Sequence, residues 1–135
     1  MIKLIVGEKG SGKTKMILDG ANDTAHTSKG LVAFLDKGNK HMLSLNHKVR
    51  LIDVSEFGVK NDNDLIYFIK GILATNSDFT DIFIDGVYKI AGKMFEELEW
   101  FFKQLEVCAK ECGLTFTLTI SCAKENLPAY LKKIA

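Results

Sequence analysis

The chain has 135 residues, 47% of them hydrophobic, which is enough apolar surface for the core of one domain spanning residues 1–135. Its 18 basic and 17 acidic side chains leave a net charge of +1, so nucleic-acid binding is not indicated, and no apolar run is long enough to span a membrane. Because the first strand starts at Ile2, we expect no signal peptide. The three cysteines lack C-x-x-C spacing, so we expect them to be reduced thiols in a cytoplasmic protein.

Apolar segments with strand and helix periodicity alternate along the chain. We predict strands at 2–6, 31–35, 49–54, 81–85 and 114–120. We predict helices at about 13–24, 62–75 and 94–112, with shorter ones at 40–46 and from Pro128. This alternation indicates an α/β fold, a three-layer αβα sandwich around a five-stranded, mainly parallel sheet. Ligands bind such sheets at the carboxyl ends of the strands, so the residues that follow each strand are the first candidates for function.

The segment after the first strand fits the pattern G-x-x-x-x-G-K-[ST] and reads Gly7-Glu8-Lys9-Gly10-Ser11-Gly12-Lys13-Thr14. It lies between a strand and a helix, where a glycine-rich loop can wrap a phosphate with its N–H groups turned inward. Lys13 is placed to reach the β- and γ-phosphates, and Thr14 offers a hydroxyl to Mg²⁺. Lys9 and Lys15 are further candidates for phosphate contact. The segment therefore predicts a nucleotide-binding loop of the Walker A type.

A carboxylate that would hold Mg²⁺ is predicted at the end of the fourth strand. The segment 81–85 is apolar and ends in Asp85, which is typical of the Walker B motif. Asp36, which follows the second strand, is the competing candidate for this role. Asp53 is less favoured because Val54 continues its strand.

On these motifs the chain resembles the P-loop NTPases, and among them the RecA-like and AAA-like ATPases. The resemblance implies the strand order 3-2-4-5-1, with strands numbered along the chain, and ATP with Mg²⁺ as ligands. It also implies that Ser121, after the fifth strand, senses the γ-phosphate, and the segment 120–128 is similar to the one that follows this strand in these ATPases. Small bacterial ATP-binding proteins sometimes labelled twitching-motility ATPases have a similar size and pattern.

Three features depart from that branch. Gly86 follows Asp85, where the branch has a glutamate that polarises the attacking water, and Asp36 is the candidate that would replace it. The single arginine, Arg50, lies near the start of the third strand, so no arginine finger is expected in the same chain. The fifth strand alternates threonine with apolar residues, whereas a central strand is usually apolar on both faces, so an edge position stays open. We therefore predict ATP binding with slow hydrolysis.

Two other functions stay open. A small P-loop kinase or phosphotransferase normally has a lid and several arginines, which this chain lacks. A non-hydrolysing interaction or regulatory module is indicated by Trp100 and Val107, which fall on the charged side of the helix at 94–112 and predict a surface for a protein partner or self-association. The histidines, His26, His41 and His47, have no acidic partner at ligand spacing, so no histidine metal site is expected.

Overall fold

A computed structural model describes residues 1–134 of the chain. The strands are β1 (Ile2–Gly7), β2 (Leu31–Asp36), β3 (Val49–Asp53), β4 (Phe79–Ile84) and β5 (Thr115–Ser121). The α-helices are α1 (Lys13–Thr27), α2 (Asp62–Thr75), α3 (Val87–Ala91), α4 (Glu99–Cys112) and α5 (Ala129–Lys132). Short 3₁₀ helices lie at Met42–Ser44, Val54–Phe57, Phe95–Glu97 and Lys124–Asn126.

The five strands form one sheet in which every neighbouring pair is parallel. The spatial order is β1-β5-β4-β2-β3, or β3-β2-β4-β5-β1 from the opposite edge. The predicted α/β fold with a five-stranded parallel sheet is confirmed. Because all strands run in one direction, their carboxyl ends meet at one edge of the sheet, and the residues that follow them are brought together there.

Helices cover both faces of this sheet, as a three-layer arrangement requires. Ile17 and Ala21 of α1 pack with Phe34 and Phe83 of the sheet in one buried cluster. The other face is covered by α2 and α4, whose buried side chains form a larger cluster with strand residues such as Ile84. Successive residues of β2 and β4 alternate between the two clusters, because side chains of a strand point to opposite faces. The sheet therefore has a core on each side.

The threonine-rich strand β5 lies inside the sheet, paired with β1 and with β4. Phe116 and Leu118 join the core under α2 and α4, so the alternating Thr117 and Thr119 face the α1 side. Both threonines are buried. Threonine has a valine-like shape and favours strands, so it fits a strand that is covered on both faces. An edge position for β5, which the sequence left open, is not what the structure shows.

The prediction of one helix over 94–112 is wrong in its first turn, and the sequence analysis missed α3. Gly92 ends α3 at φ 65°, a conformation that residues with a Cβ avoid, and Met94 is extended. A 3₁₀ turn then precedes α4, which starts at Glu99. The apolar stripe through Phe95 and Leu98 continues the helical spacing and is fully buried, so the sequence pattern gives no sign of the break. No helix within residues 1–134 has the length and apolar character for a membrane crossing.

Candidate functional site

A cleft of about 400 Å³ lies at the carboxyl edge of the sheet. It collects residues from the predicted loop and from the ends of β2, β4 and β5, among them Lys9, Gly10, Gly12, Lys13, Thr14, Asp36, Asp85 and Ser121. Five lysines line the cleft against two aspartates, which gives it a positive balance although the whole chain is nearly neutral. A concave, lysine-rich site of this size fits a small polyanionic ligand.

The loop between β1 and α1 depends on its glycines. Gly10 and Gly12 have φ values of 85° and 87°, in the left-handed region that favours glycine. A Cβ on Gly7 would lie only 2.4 Å from the Ser11 side-chain oxygen, so the loop folds closely over its own start. The Ser11 N–H donates to the Glu8 carbonyl at 3.1 Å and completes this turn. Glu8 and Ser11 thus shape the loop through backbone contacts.

Lys13 starts α1 and is held inside the loop. The residue is buried, with only 8% of its surface exposed, and its Nζ donates to the Glu8 carbonyl at 3.0 Å. No side chain among the described residues caps the N-terminus of α1, and its first turn has no acidic residue. The first N–H groups of this 15-residue helix are thus directed to the cleft with the positive end of the helix dipole.

Asp85 lies directly after β4 and is held by two threonine hydroxyls. Thr14 Oγ1 donates to Asp85 Oδ2 at 3.3 Å, and Thr119 Oγ1 donates to Asp85 Oδ1 at 2.7 Å. Thr119 also accepts the Gly86 N–H at 3.0 Å, so one hydroxyl fixes both the carboxylate and the turn after it. The predicted pair of Thr14 and Asp85 meets in the structure, and it is Asp85 rather than Asp36 that contacts Thr14.

Sequence reasoning missed the role of Thr119. The one signal in the sequence is the threonine at alternate positions of β5, and it marks no single threonine as functional. Ile84 of β4 pairs with Leu118 of β5, so the next residues along the two strands are Asp85 and Thr119. Only this register identifies which threonine meets the carboxylate.

Asp36 ends β2 inside the same cleft, with 7% of its surface exposed. Its Oδ1 accepts the Lys37 N–H at 2.8 Å, whereas its buried Oδ2 has no partner among the described residues. Burial raises the pKa of Asp36 above its ordinary value, and the neighbouring Asp85 carboxylate adds to the rise. The Lys37 N–H opposes this shift, and the electrostatic effects of His41 and Lys40 also lower the pKa of Asp36.

His41 lies beside two of these carboxylates in space, although no acidic residue stands at ligand spacing from it in the sequence. Asp36, His41 and Asp85 each offer one potential ligand atom, and these atoms all lie within 4.8 Å of one another. His41 Nε2 is buried and has no hydrogen-bond partner within residues 1–134. The sequence separation between His41 and Asp85 gives no hint of this contact, because the fold of the segment after Asp36 creates it.

The remaining predicted residues divide between the cleft and its outside. Ser121 lines the cleft opposite Gly7 in the β1–β5 register. Lys15 is exposed, and its Nζ pairs with Asp19 at 2.9 Å, so its side chain turns along α1 instead of lining the cleft. Arg50 lies near the amino end of β3, and parallel strands place that end away from the cleft.

Trp100 stays on the outer side of α4. Trp100 is 40% exposed and Val107 is 48% exposed. Phe101, Phe102 and Leu105 of the same helix are buried. Two residues beside it, Glu99 and Lys103, form an ion pair at 3.6 Å. The structure therefore places Trp100 on the charged face of α4, as the helical spacing predicts. Trp100 is not among the residues that line the cleft.

Neither a scan against protein-family models nor a search of curated proteins finds a match to this chain. The function of the chain is therefore inferred from the geometry of the cleft.

Proposed function

We propose that the chain is a P-loop nucleotide-binding protein that holds ATP with Mg²⁺ in the cleft and hydrolyses it slowly. The observation that carries the proposal is the 3.3 Å contact between Thr14 Oγ1, at the end of the G-x-x-x-x-G-K-T loop, and Asp85 Oδ2, at the end of a neighbouring strand. A glycine-rich turn that only starts a helix does not require a carboxylate such as Asp85 beside its last residue. The position of β5 between β1 and β4 supports the RecA-like branch in particular.

The phosphate groups have donors on three sides. The open N-terminus of α1 offers backbone N–H groups, as the N-termini of helices do for anions. Lys13 occupies the loop, and its present acceptor is a carbonyl that a phosphate oxygen replaces with a stronger, charge-assisted partner. Lys9 and Lys89 add charge at the rim, and Ser121 lies where it would contact the outermost phosphate.

The residues beside the loop fit Mg²⁺. Thr14 and Asp85 supply a hydroxyl and a carboxylate, the hard oxygen donors that this ion prefers, and they already lie together. Thr119 holds the second oxygen of Asp85 and so keeps the carboxylate oriented. When bound, Mg²⁺ neutralises charge that develops on the phosphate oxygens.

Slow turnover follows from what surrounds the loop. Gly86 stands where a water-activating glutamate is expected and has no side chain to offer. Asp36 is the group in the cleft that would accept a proton from water, since its Oδ2 is free of hydrogen bonds within the described chain. Arg50 lies near the other end of β3, so the transition state receives lysine charges but no arginine fork from this chain.

A protein with these features acts best as a nucleotide-controlled module in the cytoplasm. The exposed Trp100 on α4 is the surface feature that favours a protein partner or self-association, since tryptophan is enriched at the centres of interfaces. Binding of the nucleotide would then control whether that partner is held.

The direct test is a calorimetric titration with ATP, ADP and GTP in the presence of Mg²⁺. We expect saturable binding of ATP by the unchanged protein and at least about tenfold weaker binding by Lys13→Ala, because a buried charge contact to phosphate is lost. Absence of binding, or equal binding by both proteins, overturns the proposal. A phosphate-release assay on the same samples measures turnover, and rapid steady-state hydrolysis by the isolated protein contradicts the slow-ATPase part.

A further inference from the structure

Three side chains of metal-binding type meet next to the phosphate loop. Asp36 comes from the end of β2, His41 from the segment before the 3₁₀ helix at Met42–Ser44, and Asp85 from the residue after β4. One potential ligand atom from each lies within 4.8 Å of the other two. This cluster is distinct from the pair of Thr14 and Asp85, although it shares Asp85.

Two of these three side chains have buried atoms that nothing satisfies. Asp36 Oδ2 and His41 Nε2 are the only buried side-chain nitrogen or oxygen atoms without a hydrogen-bond partner within residues 1–134. Asp36 is more than nine-tenths buried, and it lines the cleft in which the cluster lies. Buried polar groups in proteins are nearly always paired, so two orphaned atoms in one cluster point to a missing partner that binds both.

A cation fits this gap, because Asp36 and Asp85 are two carboxylates with ligand atoms within 4.8 Å of each other. Lys37 and Lys40 line the same cleft, yet neither forms an ion pair with either aspartate in the described part of the chain. Both oxygens of Asp85 accept threonine hydroxyls, but a carboxylate oxygen has lone pairs for more than one partner. A cation among the three side chains would therefore remove the repulsion and satisfy the two orphaned atoms together.

We propose that Asp36, His41 and Asp85 bind a divalent transition-metal ion such as Zn²⁺ or Co²⁺, and that they do so without nucleotide. The imidazole decides the class of ion, because nitrogen ligands suit these metals whereas Mg²⁺ prefers a set of oxygens. Metal bonds of about 2.0–2.2 Å require ligand atoms that lie near one another, and the three atoms here, all within 4.8 Å, meet that need with small side-chain shifts. Three protein ligands leave at least one coordination position open toward the cleft.

The test is a titration of the chelator-treated, nucleotide-free protein with Co²⁺, followed by its visible absorption. We expect one ion per chain, displaced by Zn²⁺ but not by a large excess of Mg²⁺. The spectrum should lack the thiolate charge-transfer band, which separates this site from the cysteines. A Cys112→Ser variant, which removes an exposed thiol, should give the same titration.

Matched variants assign the ligands. His41→Ala and Asp36→Asn should each bind Co²⁺ at least about tenfold more weakly, whereas His26→Ala and His47→Ala, which change exposed histidines outside the cluster, should bind as the unchanged protein does. Lack of Co²⁺ binding by the unchanged protein, or equal binding by His41→Ala, overturns the proposal. His41 is only partly buried, so its variant should fold, and its metal-free Tm checks this.

The outcome is separable from that of the nucleotide proposal. Lys13→Ala should bind ATP at least about tenfold more weakly and keep Co²⁺ binding, because Lys13 is not in the cluster. If Lys13→Ala loses Co²⁺ as well, the ion is bound through the phosphate loop and the three-residue site is wrong.

Discussion

Replacing Thr119 with valine tests how the cleft holds Asp85. Thr119 is only 3% exposed, and its hydroxyl donates to Asp85 Oδ1 at 2.7 Å and accepts the Gly86 N–H at 3.0 Å. Valine has nearly the same shape but cannot make either bond. The change therefore leaves one carboxylate oxygen and one backbone N–H without their partner.

The size of the effect follows from these two bonds. A hydrogen bond to a charged group contributes about 1.5–3 kcal/mol to stability, and an unpaired buried N–H costs about 1–3 kcal/mol. Because both losses come from one hydroxyl, we expect a combined loss of about 2–4 kcal/mol. For a domain of this size the Tm should fall by roughly 6–14 °C. Loss of the orienting contact should also weaken Mg-ATP binding by about 10- to 100-fold.

Thr117→Val is the matched control for Thr119→Val. Thr117 lies on the same face of β5, it is also buried, and its hydroxyl makes no hydrogen bond within residues 1–134. Thermal unfolding and calorimetric titration of both variants measure the two effects. If the two variants unfold at the same temperature and Thr119→Val binds Mg-ATP like the unchanged protein, the threonine does not hold the carboxylate and the reasoning is refuted.

Three further predictions concern other parts of the chain. Asp36→Asn should raise the Tm at neutral pH, because the pKa of Asp36 is higher in the folded than in the unfolded protein. The stability that the protonated carboxyl contributes is present below the unfolded pKa of about 3.9 and is lost as the pH rises through the folded pKa. The gain from asparagine should shrink as the pH falls, and a gain that is constant in a pH series of melting curves contradicts this. Gly12→Ala should destabilise the fold by about 1–2 kcal/mol in urea unfolding, because φ is 87° there; an unchanged unfolding midpoint would show that the loop relaxes freely. Trp100→Ala should reduce self-association or partner capture in sedimentation and pull-down experiments; unchanged results in both remove Trp100 as an interface.

The sequence predicted those parts of the fold that depend on local pattern. Alternating apolar segments gave five strands, and the parallel sheet then required that Gly7, Asp36, Asp85 and Ser121 meet at one edge. The pair of Thr14 and Asp85 could be predicted because the loop chemistry requires a carboxylate at a strand end, and only a few strands end in one. These are consequences of strand direction and residue type alone.

The missed features depend on contacts between distant segments. Thr119 meets Asp85 because of the register between two strands, and no residue pattern in β5 marks one threonine over another. His41 comes near Asp36 and Asp85 through the turn after β2, where the Gly38 N–H donates to Asp53 Oδ1 of β3 at 2.8 Å. Gly38 and Asp53 are 15 residues apart in the chain, so periodicity and motif spacing do not predict this hydrogen bond.

The most direct measurement of the central claim is the shift of the Tm by Mg-ATP in three proteins. At a ligand concentration of about 100 times Kd, binding should stabilise the unchanged protein by about 2.7 kcal/mol. Lys48→Ala, which removes an exposed lysine beside the amino end of β3, should show the same shift. Lys13→Ala, with a Kd at least about tenfold higher, should be stabilised by about 1.4 kcal/mol or less at the same ligand concentration. Equal shifts in Lys13→Ala and Lys48→Ala, or no shift in the unchanged protein, would contradict nucleotide binding by the loop at Gly7–Thr14.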